Sequence, residues 1–556
     1  MADDAMEARP TGTSAAFLCL VGGLLATLLV AVPREWLATD RFTFPKAMLF
    51  HASALATSVC CLLGARRWRL DTVALLLGGF AGLSMLSALF AAHNPWVTPT
   101  AIGVTLSGGA LYLAAGALAE GGRRQAMLLA VALAAGLLAI SVLLEAYGPL
   151  AGLSTWNRAP GGTMGHRNRA AHLLVICLPV AWLCVARARQ RWVLGGLLVV
   201  VMLLGAAITL TRSRAAWLAG LVLVPLLAVA WKMGRRETGG STWRTAPYTV
   251  ALLVGVGLAL SLPNILEWRS SYTDTVRRIA EHDAGSGRGR LIQYTNTLRM
   301  AADAPLLGVG PGNWMVQYPR YATPGDPSYT VDALLPVDVL PQSDWAGLLA
   351  ERGFPAMGVL AVLCALLLME CWSRARARAE QECRDEAVTL MAVVVALLVL
   401  GGLDTVLQTP TATFLVAVIV GALRRSRREW VIDIPEMGRR WGAVAGTALL
   451  VGGPLVYGAV TGWARQLSHM RPQTEERLAR AVRLDPGGYE ARVFLGQMMS
   501  RNGQCERALK LLQESSELLP HAEMPRRVSS RCLRMLAGPR GKEPKSFHTL
   551  EFSGGE

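Results

Sequence analysis

Charge is what this chain has little of. Only 17% of its 556 residues are Asp, Glu, Lys or Arg, against 53% hydrophobic, and the mean hydropathy is +0.37. That balance excludes an ordinary soluble domain. Polar and apolar residues also fail to alternate as barrel strands require; the apolar runs are unbroken and about 20 residues long, the length that carries a helix across the hydrocarbon. Thirteen membrane helices are expected, near 15–32, 44–63, 72–92, 101–119, 126–146, 171–186, 192–210, 214–231, 247–263, 347–370, 387–403, 409–423 and 442–460. The fold class is therefore all-α, since a lipid-exposed helix satisfies its own backbone. The opening MADDAMEARPTGTS has no basic n-region and no clear cleavage site follows it, so the first run reads as a retained helix.

A net charge of +16 could suggest a nucleic-acid partner, but the placement of the basic residues argues against one. They cluster in alternate loops: Arg66, Arg67, Arg69; Arg123, Arg124; Arg187, Arg189, Arg191; Lys232, Arg235, Arg236, Arg244; Arg374, Arg376, Arg378, Arg384; and Arg424, Arg425, Arg427, Arg428. The intervening stretches 93–99 and 404–411 hold no Lys or Arg. By the positive-inside rule the N-terminus is cytoplasmic, while the loop 264–345 and the C-terminal tail are external.

The membrane part spans 1–463, a helical tail 464–538, and 539–556 is expected to be disordered. In ARVFLGQMMSRNGQCERALKLLQESSELLP, Leu495, Gly496, Ala508 and Pro520 fall where a tetratricopeptide repeat places small residues at helix crossings and Pro at the turn. Pro486 precedes Pro520 by one 34-residue period, and the expected role is contact with a protein partner. Eight of the ten Cys lie in or beside spans as packing residues; Cys505 and Cys532 fall in the tail, where an oxidising compartment would permit a disulfide.

External basic residues at membrane depth need a reason. Three places supply them: Arg158, His166, Arg167, Asn168 and Arg169 before the sixth run; Arg212 and Arg214 in a minimal turn; and Arg288 and Arg290 in the external loop. Guanidinium groups stay charged at partial burial and bind phosphate oxygens through paired donors, so together they suit one anion, a lipid pyrophosphate. The alternative for Arg212 and Arg214 is snorkelling to headgroups. GVGPGNW lacks the strand-turn-helix setting of a dinucleotide site and reads as a tight turn after a helix ending near Asp303.

These same segments carry a family resemblance. GGTMGHRNRAAHLL resembles the Gly-rich stretch with a central Asn before a helix in O-antigen ligases, polymerases and related exopolysaccharide proteins. TLTRSRAAWLAG is similar to their Ser-Arg helix start, and GRLIQYTNTLRMAADAPLLGVGPGNW to their Arg, aromatic and Pro-Leu-Leu-Gly-Val-Gly-x-Gly-Asn pattern. PQSDWAGLLAERGFPAMG resembles their acidic helix start, and LDTVLQTPTATFLVAVIVG their late helix pair, so the likeness runs over about 150–425 in family order.

The resemblance implies a GT-C-like inner-membrane glycosyltransferase working on the periplasmic face without a cofactor or metal. A sugar hydroxyl of an acceptor glycan, lipid A core or protein would attack an undecaprenyl-pyrophosphate-linked glycan. Arg212, Arg214 and Arg290 would bind pyrophosphate, helped by Arg288, Arg167, Asn168 and His166. No Asp-x-Asp pair for a divalent metal occurs in the external sequence. Gln342, Ser343 and Asp344 stand where ligases usually have His-Asn-Asp or His-Ser-Asp. Gln342 and Asp344 are thus the expected catalytic positions, Gln342 orienting the acceptor; Asp344, Glu351, His166 and Glu267 are the candidate bases. Polymerase and ligase stay open, as do a lipid-glycan transporter and a non-catalytic assembly protein acting through the tail.

Overall fold

The computed structural model describes residues 11–33, 36–64, 67–155, 157–225, 242–266, 271–280, 285–337, 340–376, 381–425, 429–433 and 437–537. Arg66, Lys232, Arg235, Arg236, Glu267, Arg378, Arg427, Arg428 and the segment 539–556 lie outside the described residues.

Each of the thirteen apolar runs overlaps a helix among the described residues. These helices are α1 (Thr11–Leu29), α2 (Thr43–Gly64), α3 (Thr72–Phe90), α4 (Thr98–Leu118), α5 (Arg124–Ala146), α6 (Arg167–Arg187) and α7 (Arg191–Thr211). Next come α8 (Arg214–Pro225), α9 (Thr242–Ser261) and, after the long loop segment, α13 (Asp344–Arg376), α14 (Gln381–Leu403) and α15 (Pro410–Leu423). The last run is divided between α16 (Met437–Thr447) and α17 (Gly453–His469). Among the described residues, eight helical segments are long and apolar enough to cross a membrane. One of these, Pro95–Ala146, is interrupted at Gly122 (φ 81°) and comprises α4 and α5; four shorter apolar helices accompany the eight. The chain is an all-α polytopic membrane protein.

Burial separates a centre from a rim. Within its most apolar stretch α6 is 89% buried, whereas α3 is 17% buried and leaves Leu89 and Phe90 exposed, as expected where lipid replaces water. Polar locks hold the bundle. Lys46 on α2 is buried, and its Nζ donates to the carbonyls of Thr27, Leu28 and Val30 at 3.1, 3.2 and 2.6 Å, satisfying acceptors that the end of α1 leaves open. A two-stranded antiparallel ribbon, absent from the sequence expectation, joins β1 (Arg67–Asp71) to β2 (Glu429–Asp433). At that end Arg124, Arg187, Arg374 and Arg425, from four of the alternate basic loops, converge on buried Glu386. Four loops that share a charge sign therefore share a face.

At the other end, α10 (Tyr272–Ala280), α11 (Gly285–Asp303) and α12 (Trp314–Gln317) build the loop segment. The tail stacks α18 (Glu475–Leu484), α19 (Tyr489–Arg501), α20 (Cys505–Leu518) and α21 (Glu523–Ala537). Gly496 is small for a reason, because a Cβ there would stand 3.0 Å from Leu512 of the next helix. Cys505 and Cys532 are free thiols buried in this core. Tyr489, Val493 and Leu519 of the tail cluster with Val316, Leu334 and Leu335 of the loop segment, and Arg527 pairs with Asp332. Tail and loop thus lie on one side of the bundle.

Candidate active site

The site is assembled by four stretches distant in sequence. The first is the Gly-rich turn before α6. Buried Glu145 accepts from the backbone N–H of Ser154 and of Gly162, each at 2.7 Å, and so folds the turn against α5. Gly165 (φ 66°) lies where a Cβ would strike the Phe42 ring at 2.3 Å. The turn delivers His166 as the N-cap of α6, its Nδ1 accepting from the Asn168 N–H at 3.1 Å. Burial, with Arg169 close by, pushes the His166 imidazole down to about 4, so it is neutral and weakly basic at neutral pH.

The second stretch is the turn 404–409 between α14 and α15. Asp404 projects from it, 23% exposed, with Oδ2 at 3.4 Å from Asn168 Nδ2, 3.9 Å from His172 Nε2 and 4.0 Å from Arg290 Nη2. Its Oδ1 accepts the Thr405 N–H at 2.9 Å. The third is α11, which carries Arg290 and, one turn on, Tyr294. The Tyr294 hydroxyl donates to the carbonyls of Gly402 at 2.7 Å and Gln342 at 3.1 Å, and burial pushes it up to about 12. The fourth is the strap 340–344 that opens α13. Gln342 receives its backbone contacts there, its N–H donating to Gln293 Oε1 at 2.6 Å, and its side chain is half-buried.

Asp344 belongs to a different environment. It is fully buried, and its carboxylate accepts the backbone N–H groups of Val406, Leu407 and Gln408 at 2.9, 2.8 and 3.3 Å. Three such donors make it a clamp that holds the Asp404 turn in place. Thr405 adds a hydroxyl bond to the Pro341 carbonyl. Glu351 is likewise structural in its contacts: its Oε1 accepts the Trp314 N–H at 3.3 Å where α13 breaks at Gly353 (φ 76°, ψ 174°). Into that break fits the GVGPGNW turn, with Val309 and Gly310 N–H groups donating to the Ala350 and Glu351 carbonyls at 2.9 Å. Gly308 and Gly310 take φ values of 67° and 95°, so the turn reading of these glycines holds.

The arginines divide. Arg212 ends α7 in the left-handed region (φ 49°) and is buried. Its guanidinium bonds Thr275 Oγ1 (Nε at 2.9 Å) and the Ser271 carbonyl, and lies over the Tyr272 ring at 4.7 Å, so it clamps the start of α10. Arg167 sits close enough to Arg212 and Arg214 to feel the charge of both. Arg169 donates to Thr43 Oγ1 at 2.9 Å. The structure therefore brings together His166, Arg167 and Asn168 with Arg290, Gln342 and Asp404, and places Arg212 and Arg214 beside Arg167. Arg288 is exposed two positions before Arg290, on a different face of α11.

Sequence reasoning passed over Asp404, His172 and Tyr294. Asp404 was visible inside LDTVLQTPTATF as an acid in a loop without Lys or Arg. His172 lies one helical turn after Asn168 on the same face of α6.

Residues 199–361 match the family model for the O-antigen ligase. That stretch of the chain is similar to the O-antigen ligase family. Arg212, Arg214, Arg290, Gln342 and Asp344 fall within the matched stretch, whereas His166, Asn168 and Asp404 fall outside it and enter the site through the fold. A search of curated proteins finds no match.

Proposed function

We propose that this protein acts as the O-antigen ligase family does, transferring or polymerising undecaprenyl-pyrophosphate-linked oligosaccharide on the periplasmic face of the inner membrane, in surface polysaccharide assembly. The carrying observation is the meeting of Asp404 with Asn168, His172 and Arg290, with Arg167, Arg212 and Arg214 alongside. Several guanidinium groups near a partly exposed carboxylate suit an anionic pyrophosphate leaving group next to a proton acceptor.

In the proposed step an acceptor hydroxyl oxygen attacks the anomeric carbon. The bond from that carbon to the phosphate oxygen breaks, and its electron pair leaves on the lipid pyrophosphate. The hydroxyl proton passes to Asp404. Arg290, Arg167 and Arg214 hold the pyrophosphate, and the developing charge is met by donors already in place, without a metal. Arg212 fixes α10 over the group. Gln342, an amide that cannot take a proton, orients the acceptor sugar, while Asp344 supports the reaction only by holding the Asp404 turn. The tail, as a tetratricopeptide-like stack, offers its remaining surface to a protein partner.

The test is a deletion strain complemented with wild type or Arg167→Ala, followed by surface-glycan chain-length analysis and by assay of the purified proteins on the lipid-linked oligosaccharide. Loss of long glycan on deletion and failure of Arg167→Ala to restore it, at normal abundance, support transfer. Restored glycan with no transfer by the purified wild type favours the assembly-protein reading.

A further inference from the structure

The carboxylate in the middle of the arginine site is loosely held. Asp404 Oδ2 has Asn168 Nδ2 at 3.4 Å, His172 Nε2 at 3.9 Å and Arg290 Nη2 at 4.0 Å, all longer than an ordinary N–H···O bond of about 2.9 Å. Asp344, by contrast, takes three backbone N–H groups. Of the three neighbours of Asp404, His172 is the one whose presence packing does not explain. It is 2% exposed, on the helix that is 89% buried within its most apolar stretch, and its Nε2 has no hydrogen-bond partner among the described residues. Buried polar atoms are normally paired and cost stability where they are not, so the open nitrogen asks for a partner. Apart from Asp404, the charges it feels are those of Arg290 and Arg169.

Asn168 and His172 lie four positions apart on α6, so they stand one above the other on one face, and both point at the same carboxylate oxygen. Arg290 approaches from α11 instead, and in the transfer proposed above it turns to the pyrophosphate. Asp404 then keeps only its two neighbours on α6.

We infer that His172 is a positioning residue for Asp404: its Nε2–H donates to Oδ2 and, with Asn168, fixes the carboxylate to α6 once the leaving group engages Arg290. The inference rests on the transferase reading and assigns, within it, a residue that touches no substrate. Closing 3.9 Å to bonding distance takes about 1 Å of movement, as catalytic hydrogen bonds tighten when substrate binds. The Thr405 N–H occupies one lone pair of Oδ1 at 2.9 Å. With Oδ2 taking two donors, the open lone pair is the second one on Oδ1. The acceptor O–H bond breaks, its proton bonds to Oδ1, and the imidazole keeps its own proton throughout.

Two variants separate this role from mere packing. His172→Gln keeps an N–H at comparable reach but cannot take up a proton, whereas His172→Leu fills similar space without a donor. With the full chain in nanodiscs, His172→Leu should lower kcat by about tenfold or more, the worth of a donor to a charged group, while the donor and acceptor KM values stay within about twofold. His172→Gln should regain most of that kcat. An unchanged kcat per folded molecule in His172→Leu would show that the imidazole only packs. Equal collapse of both variants would show that the ring must itself take up a proton. Either result overturns the inference.

A second readout needs no turnover and keeps His172 native, so it decides even where His172→Leu fails to fold. In protein labelled with 15N-histidine, the ring signal lost in His172→Gln belongs to His172. That signal should move in Asp404→Asn and stay in place in Asp332→Asn, at the tail contact. A signal indifferent to Asp404→Asn, in a wild type that transfers glycan, overturns the inference and leaves the transferase reading standing. A responsive signal in a wild type that transfers nothing takes down the transferase reading, and with it the role of His172, leaving only the contact.

Discussion

Two arginine clusters occupy opposite faces of this protein, and they are built differently. Around Glu386, 1% exposed, Arg124, Arg187, Arg374 and Arg425 approach to 3.5, 3.0, 3.8 and 2.9 Å. Around Asp404, 23% exposed, the nearest guanidinium is Arg290 at 4.0 Å, and the neighbouring arginines crowd one another. The first cluster closes on its own carboxylate and ties four loops together. The second leaves its carboxylate loosely engaged, with several arginines close to one another. Arg-rich composition alone does not separate a structural lock from the proposed phosphate site; the tightness and burial of the carboxylate do.

The comparison breaks most sharply at Glu386. Removing the shared carboxylate from a buried cluster strands its cations, so Glu386→Ala should cost about 3 to 5 kcal/mol of stability. Thermal unfolding in detergent would register that loss, while transfer per folded molecule stays normal. The mirror experiment is Arg290→Ala, which should leave unfolding unchanged and cut transfer by about ten- to a hundredfold, the worth of roughly 1.5 to 3 kcal/mol in a charge-assisted bond. Equal stability losses from both variants would erase the distinction.

Much of this architecture was legible in the sequence, and the reasons are physical. Unbroken apolar length reports a membrane helix directly, so the run at 171–186 sits inside α6 and the run at 387–403 inside α14. The glycines at 308 and 310 announced a turn because few other residues take those φ values cheaply. Contacts over long sequence separation were not legible. The β1–β2 ribbon joins residues more than 350 positions apart, and Asp344 finds its three N–H donors some 62 to 64 positions away. A carboxylate at a helix start looks the same in sequence whether it meets a substrate or a backbone turn. Arg212, likewise, was readable as a cation near the membrane surface but not as the clamp on α10.

Smaller effects sharpen the account further. Gln342→Ala should lower transfer only a few-fold in the reconstituted assay, about the worth of one neutral hydrogen bond near 1 kcal/mol. A collapse comparable to Arg290→Ala would give the amide more than an orienting role. A separate effect, on stability and not on transfer, concerns His166. Its folded value near 4 lies below the ordinary 6.5, so the neutral ring contributes stability that is full above pH 6.5 and is lost as pH falls toward 4. His166→Asn keeps a capping acceptor and should flatten that part of the stability profile. An unchanged slope between pH 6.5 and 4 would place the titration elsewhere.

The central claim is that Asp404, carried on a turn that Asp344 holds, accepts the proton in transfer. It is tested most directly by measuring initial transfer rates of Asp404→Asn and Asp344→Asn side by side, each at matched abundance in nanodiscs. Asp404→Asn should fall by about a hundredfold or more, as loss of a general base does, with unfolding unchanged. Asp344→Asn should lose activity only in step with lost stability. Normal transfer by Asp404→Asn, together with collapse of a stably folded Asp344→Asn, would contradict the account and return the base to α13.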